Sequence, residues 1–385
     1  VPIAAHTLSD EVAARTSARR DGSFSDGANH CGGNGLSSSS IIKDPTRRTP
    51  YPMQPINVLV SGGAGYIGSH TSHQLVEAGH SVTVVDNLYS GYSWAVPESA
   101  DFHQIDIGNI DAICDLLKHN NIAAVLHFSG YIVVPESVAN PIKYYDNNVV
   151  ASCRLIEACH KHGISSFIFS SSAAVYGNAT ASPAREIQTP NPITPYGRTK
   201  LAIEWMLRDL SNSVTHNPPM RHVSLRYFNV AGARMSGGLG QATPNATHLI
   251  KVACEAACGS RDGVSIFGTD YDTQDGTCVR DYIHVDDLAA AHLDALNYLS
   301  GGGASCTLNC GYGHGFSVRE VVNMMHRVSG NLFPVTETSR RAGDPAQLVA
   351  DNTRIREVLG WQPQCNDLEL ICRTALDWER SYSRT

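Results

Sequence analysis

The stretch Val58-Leu-Val-Ser-Gly-Gly-Ala-Gly-Tyr-Ile-Gly-Ser-His70 leaves a chain of this kind few ways to fold. Ile56 to Val60 is an apolar run interrupted only by Asn57 and reads as a buried parallel strand. Gly62, Gly65 and Gly68 follow at once, and Tyr66 to Ala78 then carries a helix-compatible apolar pattern. A strand, a tight glycine turn and a helix start together make a dinucleotide cradle. The glycines let backbone and helix approach a pyrophosphate, and the helix N-terminus supplies N–H donors and a positive dipole. Glycines alone mark many turns; the strand before and the helix after give these their meaning.

The next strand agrees. Ser81-Val-Thr-Val-Val-Asp86 is β-branched and ends in an acid. Asp86 falls about 20 residues past the glycines, where a carboxylate meets the adenosine ribose hydroxyls. It would repel a 2′-phosphate, so the expected cofactor is NAD rather than NADP. The alternative for Asp86, an ordinary strand-end turn residue, is the weaker one beside such a turn.

At 385 residues there is room for two domains. A hydrophobic content of 42% with 17% charged residues calls for a packed core. The formal charge of −7, without a basic run, argues against nucleic acid or anionic membrane as partners. No apolar stretch approaches the roughly 20 residues of a membrane span. The eleven cysteines include no Cys-x-x-Cys. Cys254 and Cys258 would share a helix face, but nothing nearby completes a zinc site, so no metal is expected. Reduced, mostly buried thiols in a cytoplasmic protein are the better reading.

Residues 1–55 differ from the rest. Asp21 to Ser40 is dominated by Gly, Ser, Asn and Asp, and Pro45, Pro50, Pro52 and Pro55 follow. A flexible tail is expected there, with the folded part beginning near Met53. Its acids, Asp10, Glu11, Asp21 and Asp26, are not those of a targeting peptide. From Ile56 onward strands and helices alternate. Further strands are expected at Asp101–Asp106, Ala123–Phe128, Ser166–Ser172 and Val223–Phe228. Helices are expected at Asn109–His119, Ala139–His162 and Pro195–Leu210. That alternation predicts an α/β fold, a Rossmann-type doubly wound parallel sheet over residues 56–230. Residues 231–385 are expected to form a smaller C-terminal substrate-binding α/β domain, with segments packing back on the first. It would hold helices at His248–Ala257, near 287–299 and at Ser317–Ser329.

The chemistry points to Tyr196 and Lys200 in Pro195-Tyr-Gly-Arg-Thr-Lys200. At i and i+4 they share one helix face. A phenol with a pKa near ~10 is only about 0.1% ionised at neutral pH. A nearby ammonium and a cationic nicotinamide favour the phenolate, and a shift of ~3 units needs about 4 kcal/mol. The product is a general base suited to a sugar hydroxyl. Such a pair alone is common on solvated helices; behind this glycine turn, and downstream of Ser172, the functional reading is stronger.

These residues carry a resemblance. The glycine stretch, Ser170-Ser-Ser-Ala-Ala-Val-Tyr-Gly177 and Tyr196-x-x-x-Lys200 resemble the extended short-chain dehydrogenase/reductase family. Tyr144-Tyr-Asp-Asn-Asn148, Arg226-Tyr-Phe-Asn229, Val279-Arg-Asp-Tyr-Ile-His-Val285, Arg340-Arg-Ala-Gly-Asp344 and Leu359-Gly-Trp361 are similar to its UDP-glucose 4-epimerase branch, from about Ile56 to Trp378. The resemblance implies reversible C4 epimerisation of UDP-glucose and UDP-galactose through a 4-keto sugar, with NAD held by the enzyme. It implies Tyr196 as base and then acid, Lys200 on the cofactor ribose, and Ser172 on the reacting oxygen. The implied NAD contacts are Gly62, Gly65, Tyr66, Ile67, Gly68, Asp86, Asn87, Asp106, Ile107, Phe128, Asn147 and Phe228, beside Ser172, Tyr196 and Lys200. The implied UDP-sugar contacts are Asn229, Leu249, Phe267, Arg280, Tyr282, Arg341 and Asp344. Arginine forks suit a diphosphate, although each could serve a surface ion pair. A homodimer is implied as well.

Related dehydratases and decarboxylases place an acid directly before Val-Tyr-Gly. Here Ala173 and Ala174 stand there and cannot move a proton, which favours epimerisation. The close rival is C4 epimerisation of UDP-N-acetylglucosamine or UDP-glucuronate, and the rival of another class is a non-catalytic nucleotide-binding module. Three positions depart from the branch's pattern. Ala174 stands where some members have a sugar-touching threonine, Ile132 where some have a cofactor-contacting lysine, and His248 where some have an asparagine near the substrate. Leu348 falls where this branch sets pocket size, between a tyrosine that excludes an N-acetyl group and a small residue that admits one.

Overall fold

Val58 and Val60 point to one side of their strand and Leu59 to the other, and all three are fully buried. Such a strand needs a sheet covered on both faces. The computed structural model describes residues 54–178, 182–213, 219–341 and 343–382, and it contains that sheet. Except for Gln54 and Pro55, the expected tail lies outside the described residues.

The first half runs β1 (Asn57–Ser61), α1 (Tyr66–Glu77), β2 (Ser81–Asp86), β3 (Asp101–Gln104), α2 (Ile110–His119), β4 (Ala124–His127), α3 (Val134–Ala139), α4 (Pro141–Tyr144), α5 (Ala151–Lys161), β5 (Ser166–Ser172), α6 (Pro195–Ser211) and β6 (Arg221–Tyr227). The second half runs β7 (Asn229–Ala231), α7 (Leu249–Ala257), β8 (Val264–Phe267), β9 (Val279–Arg280), β10 (Tyr282–His284), α8 (Val285–Ser300), β11 (Cys306–Cys310), β12 (Phe316–Ser317), α9 (Val318–Ser329), β13 (Val335–Thr338), β14 (Gln347–Leu348), α10 (Thr353–Leu359) and α11 (Leu368–Tyr382).

Seven parallel strands form the main sheet in the order β11-β6-β5-β4-β1-β2-β3. One face packs Val58, Val60, Val84, Leu126 and Leu225 against α1 and α8. The other packs Leu59, Val85, Val125, Phe167 and Phe169 against α2, α5 and α6. The strand order reverses between β1 and β4, so the turns after them part and leave a crevice at the carboxyl ends. Chain beyond residue 231 returns to this sheet: α8 covers it and β11 extends it beside β6. Three small sheets, β10-β7, β12-β9-β14 and β13-β8, build the rest of the second half.

The expected helix from Ala139 to His162 is a correction. Pro141 has no N–H to donate and disfavours helical backbone at the residue before it. Asn140 accordingly takes φ −135° and ψ 71°, and its side chain caps α4. Tyr145–Val150 then winds as a π-helical turn before α5 resumes the α geometry. Other expected boundaries fall within about two residues of those observed, the usual spread at element ends. No helix among the described residues is long and apolar enough to cross a membrane. Among the same residues no cluster of His, Cys, Asp and Glu is arranged to hold a metal ion.

Candidate active site

The glycine turn after β1 packs against neighbouring backbone too closely to admit side chains. Gly62 takes φ +72°, and a Cβ there would stand 2.6 Å from the Ser129 backbone nitrogen. A Cβ on Gly68 would collide with the Gly62 carbonyl. The N-terminus of α1 has no side-chain cap and no acid in its first turn, so its amides and dipole remain for an anion. Asp86 closes the adjacent strand, its carboxylate accepting from Leu88 N at 2.8 Å and Ala64 N at 3.0 Å. Burial pushes the Asp86 carboxyl above the ordinary range, and those two backbone donors draw it back.

A cavity of about 420 Å³ opens along these strand ends. Its wall contains Gly62, Gly65, Tyr66, Ile67, Gly68, Asp86, Asn87, Asp106, Ile107, Phe128, Asn147, Ser172, Tyr196 and Phe228. Asn87 donates to Asp106 at 2.9 Å, joining the turns after β2 and β3. The π turn aims Asn147 at the cavity, and its amide donates to Asn148 at 2.9 Å. A widened turn inside a helix often marks a functional position. Of the expected cofactor set only Lys200 lies behind the wall, 2% exposed, with Nζ donating to the Ser170 carbonyl at 2.9 Å. The cradle, the uncapped helix and the carboxylate fit a dinucleotide without a 2′-phosphate.

Tyr196 begins α6, after a Thr194 cap and Pro195 in the first turn. Ser172 ends β5 and caps the short 3₁₀ turn Ala173–Tyr176 through a 3.1 Å bond from Ala174 N. One element therefore presents a phenol and the other a hydroxyl to the same cavity. The expected lowering of the phenol, which joined the lysine with a cationic nicotinamide, is not produced by the chain's own groups. Burial pushes Tyr196 above the usual phenol value, and only the Ser172 hydrogen bond pulls it down. Lys200 Nζ stands 6.0 Å from the Tyr196 ring centroid and 5.0 Å from that of Phe169. Burial draws Lys200 itself down to about 8, with the Glu204 charge opposing. In the chain's own field, then, desolvation outweighs attraction between these two groups.

The expected sugar-nucleotide residues divide between two adjoining spaces. Asn229, Arg280, Asp344 and Leu348 line the first cavity. Leu249, Phe267, Tyr282 and Arg341 line a second one of about 490 Å³ that shares Asn229, His248, Arg280 and Asp344 with it. The Arg341 guanidinium lies 3.6 Å from the Phe267 ring centroid. Arg280 Nη2 faces Asp344 at 3.6 Å. Leu249 opens α7, so three guanidinium groups, those of Arg261, Arg280 and Arg341, and a helix N-terminus border one space, an arrangement suited to a diphosphate. Ala174, Ile132 and His248, the three departures, all line the first cavity.

Sequence reasoning missed the supports. Asn148 is 1% exposed and ties Tyr131 N at 2.8 Å to Thr199 Oγ1 at 3.2 Å, fixing the turn after β4 against α6. Glu204 binds Arg226 by a two-pronged buried pair at 2.6 and 2.9 Å and accepts from Ser171 Oγ. Arg226 also donates to Tyr176 at 3.0 Å. This network braces β5 and α6, the elements bearing Ser172 and Tyr196. Glu204 repeats the Tyr196 and Lys200 spacing one turn further on, the single local signal that could have revealed it.

Fold and cavity together define a class: a dinucleotide-dependent enzyme of the Rossmann type that works at a hydroxyl-bearing carbon. The family described as NAD dependent epimerase/dehydratase matches residues 58–311, and the chain belongs to that family. It is 52% identical over 328 residues to a UDP-glucose 4-epimerase of Azospirillum brasilense, covering 85% of this chain and 93% of that protein. The structure of UDP-glucose 4-epimerase from Brucella ovis in complex with NAD superposes with a TM-score of 0.81 at 44% identity, covering 84% of this chain and 98% of that one. The UDP-Glc/GlcNAc 4-epimerase of Campylobacter jejuni gives 0.74 at 49% identity, with 85% and 99% covered.

Proposed function

We propose that this chain interconverts UDP-glucose and UDP-galactose at C4, using NAD that it retains through each cycle. The observation that carries the reading is Tyr196 beside Ser172 in one cavity wall, with alanine at both 173 and 174. A phenol can take and return one proton; the alanines at 173 and 174 offer no acid to eliminate water. Bound NAD supplies reversible acceptance of a hydride. Tyr196 removes the proton from the C4 hydroxyl while Ser172 hydrogen-bonds the same oxygen. After the keto sugar has turned over to present its opposite face, Tyr196 returns the proton to the same C4 oxygen. Lys200, fixed to the Ser170 carbonyl, holds the cofactor ribose and contributes positive charge below pH ~8. Asp86 receives the adenosine ribose, and Gly62, Gly65 and Gly68 admit the pyrophosphate to the α1 N-terminus. Arg280 and Arg341 take the UDP diphosphate.

Residues 56–230 then serve chiefly the cofactor and residues 231–385 the sugar nucleotide, with α8 and β11 returned to the first part. The chain acts as a homodimer: Trp205 of α6 and Val150, beside α5, are each 50% exposed on elements that pack together, an apolar surface a second copy would cover. Buried free thiols such as Cys159, Cys254 and Cys310 suit the reducing cytoplasm. The test is incubation of purified protein with UDP-galactose. UDP-glucose should accumulate to a fixed ratio reached from either side, and its absence with folded, NAD-loaded protein would refute the reading.

A further inference from the structure

A cluster at the rim of the cofactor half of the cavity has no role in what precedes. Tyr89 stands in the turn after β2, three residues past Asp86, and Tyr131 in the turn after β4, three residues past Phe128. Their ring centroids lie 4.6 Å apart. Lys143 of α4 stands 4.6 Å from the Tyr131 ring centroid and 5.1 Å from that of Tyr89, and donates to the Tyr89 hydroxyl at 2.9 Å. Glu136 of α3 pairs with Lys143 and accepts at 2.9 Å from the hydroxyl of the fully buried Tyr144. Tyr89 is 56% exposed and yet held by two side chains, Tyr131 and Lys143.

The sheet order gives the cluster its meaning. β1 lies between β4 and β2, so a contact between the turns after those two strands must bridge the carboxyl end of β1. That is where the glycine cradle stands, and Tyr89 and Tyr131 line the same cavity as Gly62, Gly65 and Asp86. Position 132, where the resemblance implies a cofactor-contacting lysine in some members, is here an isoleucine, 40% exposed in the same rim. The rim thus lacks a cation at 132 and has one at Lys143, seated against the two rings.

We propose that the Tyr89–Tyr131 pair, held in place by Lys143, is the latch that retains NAD in this chain, replacing the contact of a lysine at position 132. It rests on the reading of the cavity as an NAD site. A ring pair across the cradle shields the dinucleotide from water, and the ammonium, itself paired with Glu136, fixes both rings. The other occupation for the cluster is mere stiffening of α3 against α4, which predicts no change in cofactor release.

The test is NAD content per chain during extended dialysis, read by nucleotide release and absorbance. Wild type should keep its NAD. Tyr131→Ala and Tyr89→Ala should lose it about tenfold faster or more, and their turnover should come to depend on added NAD. Tyr131→Phe, which keeps the ring, should retain NAD. Ile132→Lys in the Tyr131→Ala background should slow the loss again. Should Tyr131→Ala not fold, Lys143→Met at a partly exposed position reads the same latch and should also speed release. Release at the wild-type rate from the folded alanine variants or from Lys143→Met would overturn the latch. A wild type that neither carries nor binds NAD would instead refute the cofactor reading.

Discussion

The ammonium of Lys200 donates to the carbonyl oxygen of Ser170 at 2.9 Å, and Glu204 follows it by one turn of α6. The lysine is thereby tied to the strand that ends at Ser172. Burial brings it down to about 8, so it is charged below that pH and neutral above. Turnover should therefore fall as pH rises through about 8. Stability moves the other way. The unfolded chain keeps this proton up to the ordinary 10.5, so the group's contribution to stability grows between about 8 and 10.5. Initial rates from pH 7 to 10, beside far-ultraviolet circular dichroism, check this. A rate that stays level to pH 10 would show that Lys200 charge is not needed.

Tyr196→Phe should lower turnover by roughly 10²-fold or more while NAD remains bound, because the phenol moves the proton and cofactor contacts are spread over many residues. Rate and NAD content measured on the same preparation separate the two. Near-normal turnover would remove Tyr196 from the chemistry.

The glycine cradle, Asp86 and the Tyr196–Lys200 pair were legible because each is a local signal with a fixed spacing. The broken helix at Asn140 was legible too, through Pro141, but the apolar pattern on either side outweighed it. What could not be read was assembled across distance. The Glu204–Arg226 pair joins α6 to β6, and Asn148 joins a π turn to α6 and to the turn after β4. β11 pairs with β6 across residues 228–305, about half of the second half, so no spacing announces it. The phenol's upward shift was likewise invisible, since desolvation depends on what covers a group and not on its neighbours in sequence.

Four buried histidines should make the fold acid-sensitive. Burial holds His70 and His127 down to about 3, and His222 and His292 to about 4. His292 Nε2 has no hydrogen-bond partner, so a second proton there would sit bare. Each folded value lies below the unfolded one, so the stability these groups contribute is complete above about 6.5 and is lost as pH falls from there toward 3 to 4. Between pH 7.5 and 5.5 each should cost about 1.4 kcal/mol, roughly 5 kcal/mol in all. Urea unfolding midpoints at those two pH values read the change directly; unchanged midpoints would mean that these histidines are not buried as neutral rings.

Leu348 lines the first cavity beside Asp344 and is partly buried at the end of its short strand β14. If it bounds the space for the sugar's C2 substituent, N-acetyl sugars should be accepted, less well than glucose and galactose. Apolar pocket fit discriminates by about 1–3 kcal/mol, so the preference is modest. Leu348→Tyr should depress kcat/KM for UDP-N-acetylgalactosamine selectively over that for UDP-galactose. An equal effect on both would place Leu348 away from that substituent.

The central claim is that hydrogen leaves C4 and returns to the same carbon within one enzyme-bound cycle. UDP-galactose carrying deuterium at C4, turned over in ordinary water without added NAD, tests it most directly by mass and NMR analysis of the product. UDP-glucose with deuterium retained at C4 is the expected result. UDP-glucose with deuterium washed out at C4, or turnover only when fresh NAD is supplied stoichiometrically, would contradict it.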